Sequence, residues 1–240
     1  MIVGEAQIET GLRVYAIGDV HGCMDQLRHL TKLIDQDLLA SPVSRHQLVF
    51  LGDHVDRGPA NREVIEYLIE LEASDRDCIF LLGNHDERIL VFMENPDLVW
   101  DDVLRWGGAR TLENYRIVVR PGESHGSLSR RFSDAVPKEH KRFLKSLKIS
   151  HTVGDYFFCH AGVRPHVSLN AQADHDLIWI RQDFLMHEEP FEKVIVHGHT
   201  PVDEPELKTN RINVDTRCYS SSVLTAVVLE GKSQRFIQTR

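Results

Sequence analysis

Three short turns hold most of the side chains that could do chemistry, and each turn begins with a glycine. The turns read Gly-Asp-Val-His-Gly from residue 18, Gly-Asp-His-Val-Asp-Arg-Gly from residue 52 and Gly-Asn-His-Asp from residue 83. Two further histidines, His160 and His199, follow apolar runs later in the chain. Carboxylate, amide and imidazole groups together suit manganese, iron, zinc or cobalt better than calcium alone. This inventory predicts a transition-metal site.

The number of these groups fits two metal ions that share one carboxylate. Two ions about 3.5–4 Å apart are a known arrangement for phosphate chemistry, and they lower the pKa of bound water towards about 7. Hydroxide is then available at neutral pH to attack phosphorus in line with the leaving oxygen. The transition state spreads negative charge over its outer oxygens, so cationic side chains must meet it. Arg57, at the end of the second turn, can bind two phosphate oxygens at once.

Each of the three turns follows an apolar run that predicts a β-strand, over residues 13–17, 47–51 and 78–82. Between the runs, apolar residues recur at helical spacing over residues 24–39 and 62–71. This β-α-β-α-β order predicts parallel strands in an α/β layer. Because sites in such sheets lie at the carboxyl ends of the strands, we expect the three turns to converge.

The second half of the chain predicts a helix from Pro137 to about residue 148, followed by several short strands. We place these strands at residues 149–153, 156–159, 194–196, 211–214 and 225–229. Their close spacing predicts a mixed or antiparallel second sheet, and hence a sandwich with outer helices. Residues 114–135 lack apolar periodicity, so we predict a surface loop or a flap over the site there. We expect residues 1–240 to form a single domain.

Composition narrows the choice of partners. The chain of 240 residues carries a formal net charge of −8, which argues against non-specific binding to nucleic acid or to a membrane surface. No apolar run approaches the roughly 18 residues that a membrane span needs, and the first ten residues do not resemble a signal peptide. The four cysteines are widely spaced, which favours reduced thiols. We therefore expect a cytoplasmic protein, and its oligomeric state stays open.

The ordered motifs resemble those of a known enzyme family. The blocks GDVHG, GDxVDRG, GNHD, CHAG, WIR and GHTP run from residue 18 to residue 201 in the order typical of the phosphoprotein phosphatase (PPP) family of calcineurin-like metallophosphoesterases. They are most similar to the short bacterial and phage serine/threonine phosphatases. The resemblance implies an αββα sandwich of two mixed sheets flanked by helices, with a dinuclear metal site at the carboxyl ends of the strands.

The resemblance also assigns metal ligands by position. Asp19 and His21 would bind the first ion, Asp53 would bridge both, and the second would be held by Asn84, His160 and His199. The cofactors implied are two divalent ions, manganese first, with iron, zinc, cobalt and nickel as alternatives.

Five residues receive catalytic or substrate-binding roles in the same way. Arg57 and Arg181, the latter in the WIR block, would bind the phosphate together with Asn84. His85 is the candidate general acid for the leaving oxygen, and Asp56 would orient its ring and favour its protonated form.

The expected reaction is hydrolysis of phosphoserine or phosphothreonine in a phosphorylated protein or peptide, with phosphotyrosine as a further substrate, by direct attack of a metal-bridging hydroxide. The alternative is a symmetrical diadenosine tetraphosphate hydrolase acting on dinucleoside polyphosphates. GNHD favours this alternative, because protein phosphatases usually have glutamate at the position of Asp86, whereas Asp56 of VDRG disfavours it. A third reading, a metal-binding module without turnover, would require the loss of a ligand or of the acid, and all of them are present.

Overall fold

Ten β-strands form two five-stranded sheets in the computed structural model, which describes residues 1–240. The strands in chain order are β1 (Leu12–Ile17), β2 (Arg45–Phe50), β3 (Cys78–Phe80), β4 (Ser150–Val153), β5 (Tyr156–Cys159), β6 (Val194–His197), β7 (Glu206–Leu207), β8 (Arg211–Asn213), β9 (Thr225–Glu230) and β10 (Ser233–Gln238).

Both sheets are mixed. The first has the order β10-β9-β1-β2-β3, in which β1, β2 and β3 are parallel and β9 and β10 are antiparallel to their neighbours. The second has the order β4-β5-β6-β8-β7, with a parallel centre and an antiparallel strand at each edge. Every predicted ligand follows a parallel strand: β1, β2 and β3 in the first sheet, and β5 and β6 in the second.

Ten α-helices connect the strands: α1 (Met24–Ala40), α2 (Asn61–Glu72), α3 (Asn84–Glu94), α4 (Trp100–Arg105), α5 (Gly108–Asn114), α6 (His125–Ala135), α7 (Lys138–Ser146), α8 (Asp174–Trp179), α9 (Gln182–Leu185) and α10 (Cys218–Ser221). The longest, α1, buries Leu27, Leu30 and Ile34, whose spacing of three and four residues places them on one face. None of the helices combines the length and the apolar character that a transmembrane span requires.

The two faces of β1 show how the layers are built. Successive side chains of a strand point to opposite faces. Val14 and Ala16 pack in the core between the two sheets, whereas Tyr15 and Ile17 pack in the core beneath the first layer of helices. A third core lies on the outer face of the second sheet, around Phe184. The predicted αββα sandwich is therefore confirmed.

The prediction of a loop over residues 114–135 is wrong for its second half, because α6 occupies residues 125–135. Leu128 and Phe132, four residues apart, are fully buried, and the Ser124 side chain accepts a hydrogen bond from the Ser127 N–H at the start of the helix. Two buried residues in a polar stretch are too few to give a periodic signal. A role as a flap over the site stays a prediction.

The buried side chain of Arg13 connects β1 by hydrogen bonds to β9, to α1 and to the residue after α1. Its guanidinium is 2% exposed and donates to Glu230 at 2.6 Å, to Asp37 at 3.1 Å and to the Ser41 carbonyl at 2.9 Å. The Tyr15 hydroxyl donates to the same Asp37 carboxylate at 2.6 Å. The network fixes the strand that leads into the first ligand turn.

Replacing Arg13 with methionine should lower the free energy of unfolding by about 1–3 kcal/mol, because it removes the hydrogen bonds that a buried guanidinium donates to Glu230, Asp37 and Ser41. Urea denaturation gives this change directly. The matched control is Arg45→Met, whose pair with Glu9 lies on the surface and should contribute nothing measurable. Equal stability of the two variants would mean that the Arg13 network does not hold β1.

Candidate active site

The turns after β1, β2 and β3 meet the ends of β5 and β6 at one edge of the sandwich. The polar side chains gathered there are each at most 3% exposed, and they are the predicted ligands Asp19, His21, Asp53, Asn84, His160 and His199. Buried charges are costly unless they are paired or bind a metal ion. The buried carboxylates of this site therefore require a cationic partner, such as a metal ion.

The backbone of the turns is strained where the polar side chains are presented. Five non-glycine residues have left-handed conformations: His21 (φ 44°), Asp53 (φ 52°), Asp56 (φ 71°), Arg57 (φ 66°) and His199 (φ 63°). Such conformations cost about 1–3 kcal/mol each and tend to cluster at functional sites. The strain is held locally, for example by the His21 N–H, which donates to the Asp53 carbonyl at 2.9 Å.

Two glycines allow the turns to approach one another. A Cβ at Gly83 would lie 2.1 Å from the Asp53 backbone nitrogen, and one at Gly198 would lie 2.1 Å from an Asp19 carboxylate oxygen. Neither position has room for a side chain, so glycine is required for close contact. The motif glycines thus bring ligand-bearing turns together, in addition to bending the chain.

Two groups of potential metal ligands share Asp53. One contains His21, Asp53 and His85, and the other contains Asp53, His160 and His199. The two carboxylate oxygens of Asp53 point to different groups, with Oδ2 3.4 Å from His21 Nε2 and Oδ1 3.4 Å from His160 Nε2. A carboxylate whose two oxygens face different ligand groups is suited to binding one cation on each side.

The second group is completed by Asn84. Its Oδ1 atom lies 3.1 Å from His160 Nε2 and 2.8 Å from His199 Nδ1. The structure thus brings together the residues predicted for the second ion. Since an amide oxygen is a hard neutral donor, it can serve a divalent cation beside the two imidazoles.

Asp19 lies beside these groups and belongs to neither of them. Its carboxylate accepts the His199 N–H at 3.1 Å, and burial, together with the charge of nearby Asp215, raises its pKa well above the usual range. Burial likewise raises the pKa of Asp215 to about 6. Two neighbouring buried carboxylates without a cationic partner are a strong reason for a positive charge in this site.

The histidines show the same need for a partner. The Nδ1–H of His21 donates to the Val55 carbonyl at 2.7 Å, which leaves a buried Nε2 atom without a partner. His160 follows the same pattern, since its Nδ1–H donates to the Leu51 carbonyl at 2.9 Å and its Nε2 faces Asn84 and Asp53. Metal-binding histidines commonly anchor one ring nitrogen on a carbonyl in this way and direct the other to the metal. The donor set therefore fits divalent metal ions.

His85 is placed as an acid–base group would be. Its Nδ1–H donates to Asp56 at 2.7 Å, and its Nε2 accepts from the Arg57 guanidinium at 3.0 Å. Burial lowers the pKa of His85, but the Asp53 charge and the Asp56 hydrogen bond outweigh it and raise the pKa overall. Burial raises the pKa of Asp56, against the effect of its bond with His85. The predicted pairing of Asp56 with His85 is thus present.

Several residues that the motifs did not reveal position this pair and its neighbours. The Thr111 hydroxyl donates to Asp56 at 2.5 Å. Asp86 accepts the backbone N–H groups of His54 and Gly83, each at 3.0 Å, and so joins the second turn to the third. Only the identity of Asp86, noted as a departure in GNHD, gave any signal in the sequence. Thr111 lies in α5, which is far along the chain from any ligand turn, although its side chain contacts Asp56 in space.

The predicted phosphate arginines border an open cleft of about 180 Å³ beside the ligands. Its lining residues are Arg57, Asn84, His85, Trp106, Trp179 and Arg181. Arg181 donates to the Thr200 hydroxyl at 3.3 Å, and the Arg57 guanidinium lies over the Tyr219 ring at 4.5 Å. Larger depressions elsewhere on the surface contain neither group of ligands. This cleft can therefore take a phosphoryl group between the ligands and two guanidinium groups.

Relatives and solved structures resemble this chain over nearly its whole length. A relative from Oceanobacillus iheyensis, named asymmetrical bis(5'-nucleosyl)-tetraphosphatase PrpE, is 25% identical over 234 residues, covering 90% of this chain and 88% of that protein. A relative from Anoxybacillus flavithermus with the same name is 28% identical and covers 88% of each protein. The structure of a candidate diadenosine tetraphosphatase has a TM-score of 0.64 at 20% identity, covering 97% of this chain and 98% of that one. At 20% identity, the structural likeness concerns the fold alone.

The prediction of a serine/threonine protein phosphatase is wrong, because the relatives named above are tetraphosphatases. They agree better with the alternative, a diadenosine tetraphosphate hydrolase, although that alternative assumes symmetrical cleavage and these relatives are named asymmetrical. The physical reason for the error is that the motifs describe metal ligands and phosphate arginines, which serve any phosphoryl group. Asp56 orients His85 whatever the leaving group is, so its presence does not separate the two activities.

A family profile agrees with the site geometry. Residues 12–221 match the profile described as calcineurin-like phosphoesterase, which covers all the predicted ligands and both arginines. Members of this family are hydrolases that use a dinuclear divalent metal site. The chain belongs to the calcineurin-like phosphoesterase family.

Proposed function

We propose that this protein is a metal-dependent hydrolase of dinucleoside polyphosphates that cleaves them asymmetrically. The observation that carries the proposal is the similarity to relatives named asymmetrical tetraphosphatases, which extends over 90% of the chain in the Oceanobacillus protein. The cleft supports it, because two arginines beside a cationic site suit a substrate with several adjacent phosphates.

Six residues would hold two divalent ions, with Asp53 between them: Asp19, His21, Asp53, Asn84, His160 and His199. When bound, the ions would supply an activated water and positive charge for the reacting phosphate. Manganese is the ion we expect to support activity. Asp53 faces both groups of ligands without any rearrangement.

The remaining residues act on the substrate itself. Arg57 and Arg181 would bind the non-bridging oxygens of the reacting phosphate, with the Asn84 side chain beside them. His85 would donate a proton from Nε2 to the departing oxygen, while Asp56 holds the opposite side of its ring. Arg57 now donates to that same Nε2 atom, so binding a phosphate must draw Arg57 away before His85 can act.

The products of diadenosine tetraphosphate test this proposal. We expect the manganese-loaded protein to release AMP and ATP in equal amounts, as separated by anion-exchange chromatography, and the same protein treated with a chelator to release neither. A phosphoserine peptide measured on the same preparation should be a much poorer substrate by kcat/KM.

Each other outcome has a definite meaning. Two molecules of ADP from each substrate molecule would replace asymmetrical by symmetrical cleavage and leave the substrate class intact. A clear preference for the phosphopeptide would overturn the proposed function. Turnover that persists in the presence of the chelator would contradict the metal requirement.

A further inference from the structure

The cleft beside the candidate metal ligands has an aromatic wall that the phosphate chemistry does not use. Trp106 and Trp179 form this wall, next to Arg57, His85 and Arg181. The two indole rings lie 5.6 Å apart between centroids and are tilted by 48°. At this distance the rings contact each other, so a ligand ring can only lie against an outer face of one of them.

Trp179 is held in place by its neighbours. Its indole N–H donates to Glu87 at 2.9 Å, and the Arg88 guanidinium lies over its ring at 4.4 Å. The ring of His175 is nearly parallel to it, with centroids 6.1 Å apart. The Trp179 side chain is therefore held in one position, and its ring already contacts Arg88 and His175.

Trp106 is less restrained. Its side chain is half-buried. The next residue, Gly107, has a left-handed backbone (φ 100°), and a Cβ there would lie 2.8 Å from the Arg57 nitrogen. The Arg57 N–H also donates to the Gly107 carbonyl at 3.3 Å. Trp106 thus presents a partly open aromatic surface that is anchored to the backbone of a phosphate-binding residue.

An aromatic surface joined to two guanidinium groups recognises a flat ring attached to a phosphate. Every nucleobase offers a π face, and stacking on an indole needs no particular pattern of hydrogen bonds. Asymmetrical cleavage breaks the anhydride bond between the first and second phosphates of one nucleoside, so the base of that nucleoside must lie close to the scissile bond. The Trp106 ring meets this condition, because its centroid is 6.1 Å from that of His85.

We propose that Trp106 stacks on the nucleobase of the nucleoside next to the reacting phosphate, and so selects nucleotides over other polyphosphates. This inference rests on the proposed function and identifies the residue that confers its substrate class. A pocket without such a ring would bind the phosphates alone and would not distinguish a dinucleotide from inorganic polyphosphate.

The first test compares two substrates that share the phosphoanhydride bond and differ in the base. Trp106→Ala should lower kcat/KM for diadenosine tetraphosphate about 5- to 100-fold, mainly through KM, since stacking on one aromatic side chain is of this size. The loss in kcat/KM for inorganic tripolyphosphate, which has no base to stack, should be several-fold smaller. Trp106→Phe keeps an aromatic face and should restore most of the loss, whereas Trp106→Leu should not. Equal losses on both substrates, or equal behaviour of the Phe and Leu variants, would refute stacking.

A binding measurement separates this inference from the proposed function. Trp100 stacks on His125 and lies outside the cleft, so Trp100→Phe removes its fluorescence without touching the site. In this metal-loaded variant, AMP should quench the remaining tryptophan fluorescence, and inorganic phosphate should not. Failure to cleave the dinucleotide, with AMP quenching intact, would overturn the proposed function and support the base site. Absence of quenching by AMP, or equal quenching by phosphate, would overturn the base site.

Discussion

Asp53→Asn should remove at least one of the two metal ions and lower turnover by more than about 100-fold. Changing even an outer partner of a metal ligand typically costs 10- to 100-fold in metal affinity or activity, and Asp53 lies between both groups of ligands. Asparagine keeps one oxygen, which can still accept the His85 N–H that Asp53 Oδ1 accepts at 2.9 Å. It presents an NH₂ group in place of the second oxygen, and this group cannot bind a cation.

The measurement is the metal content of the purified, manganese-loaded protein by mass spectrometry, alongside kcat/KM for diadenosine tetraphosphate. Asp97→Asn is the matched control, because this carboxylate is 87% exposed and pairs only with His125. The control should keep the metal content and turnover of the unchanged protein. An Asp53→Asn protein that keeps both ions would show that this carboxylate does not bridge them.

The sequence predicted the strands that carry the site better than those at the sheet edges. Strand β5, most of β1 and the second half of β2 are apolar, because these segments are buried on both faces. Strand β7 has only two residues, and β10 is largely polar and forms an edge, so neither produces a hydrophobic pattern. Each pairs only with the strand beside it in the sequence, β7 with β8 and β10 with β9, so its place in the sheet depends on that partner and not on a hydrophobic pattern of its own.

The same limit applies to the site. The ligand turns could be predicted because glycine, carboxylate and imidazole recur at the ends of apolar runs. Thr111 and Tyr219 have no such local pattern, and they reach Asp56 and Arg57 only through packing between distant segments. The assigned roles of the ligands, the single-domain organisation and the cytoplasmic location stay predictions. The substrate class was misjudged because the motif residues serve any phosphoryl group and so do not distinguish one leaving group from another.

His85→Asn should keep both metal ions and lose most of the turnover. Removing a general acid typically costs on the order of 10²–10⁴-fold in rate. The size of the loss should depend on the leaving group, since an oxygen that departs readily as an anion needs little help from a proton. We therefore expect a loss near the lower end of this range for diadenosine tetraphosphate, whose leaving group is a nucleoside phosphate, and near the upper end for an alkyl phosphate.

This dependence on the leaving group separates an acid from a metal ligand. His85 Nε2 lies 4.0 Å from Asp53 Oδ2, so His85 is also near enough to one ligand group to be considered part of it. If His85 binds metal, His85→Asn should lower metal content and reduce activity equally on aryl, anhydride and alkyl substrates. If His85 donates the proton, metal content should match that of the exposed control His29→Asn, and the loss should grow with the pKa of the leaving group. Two measurements on one preparation therefore decide between the roles: the metal content, and the dependence of the rate loss on the pKa of the leaving group. Only loss of a proton donor makes the rate loss depend on how readily the leaving oxygen departs as an anion.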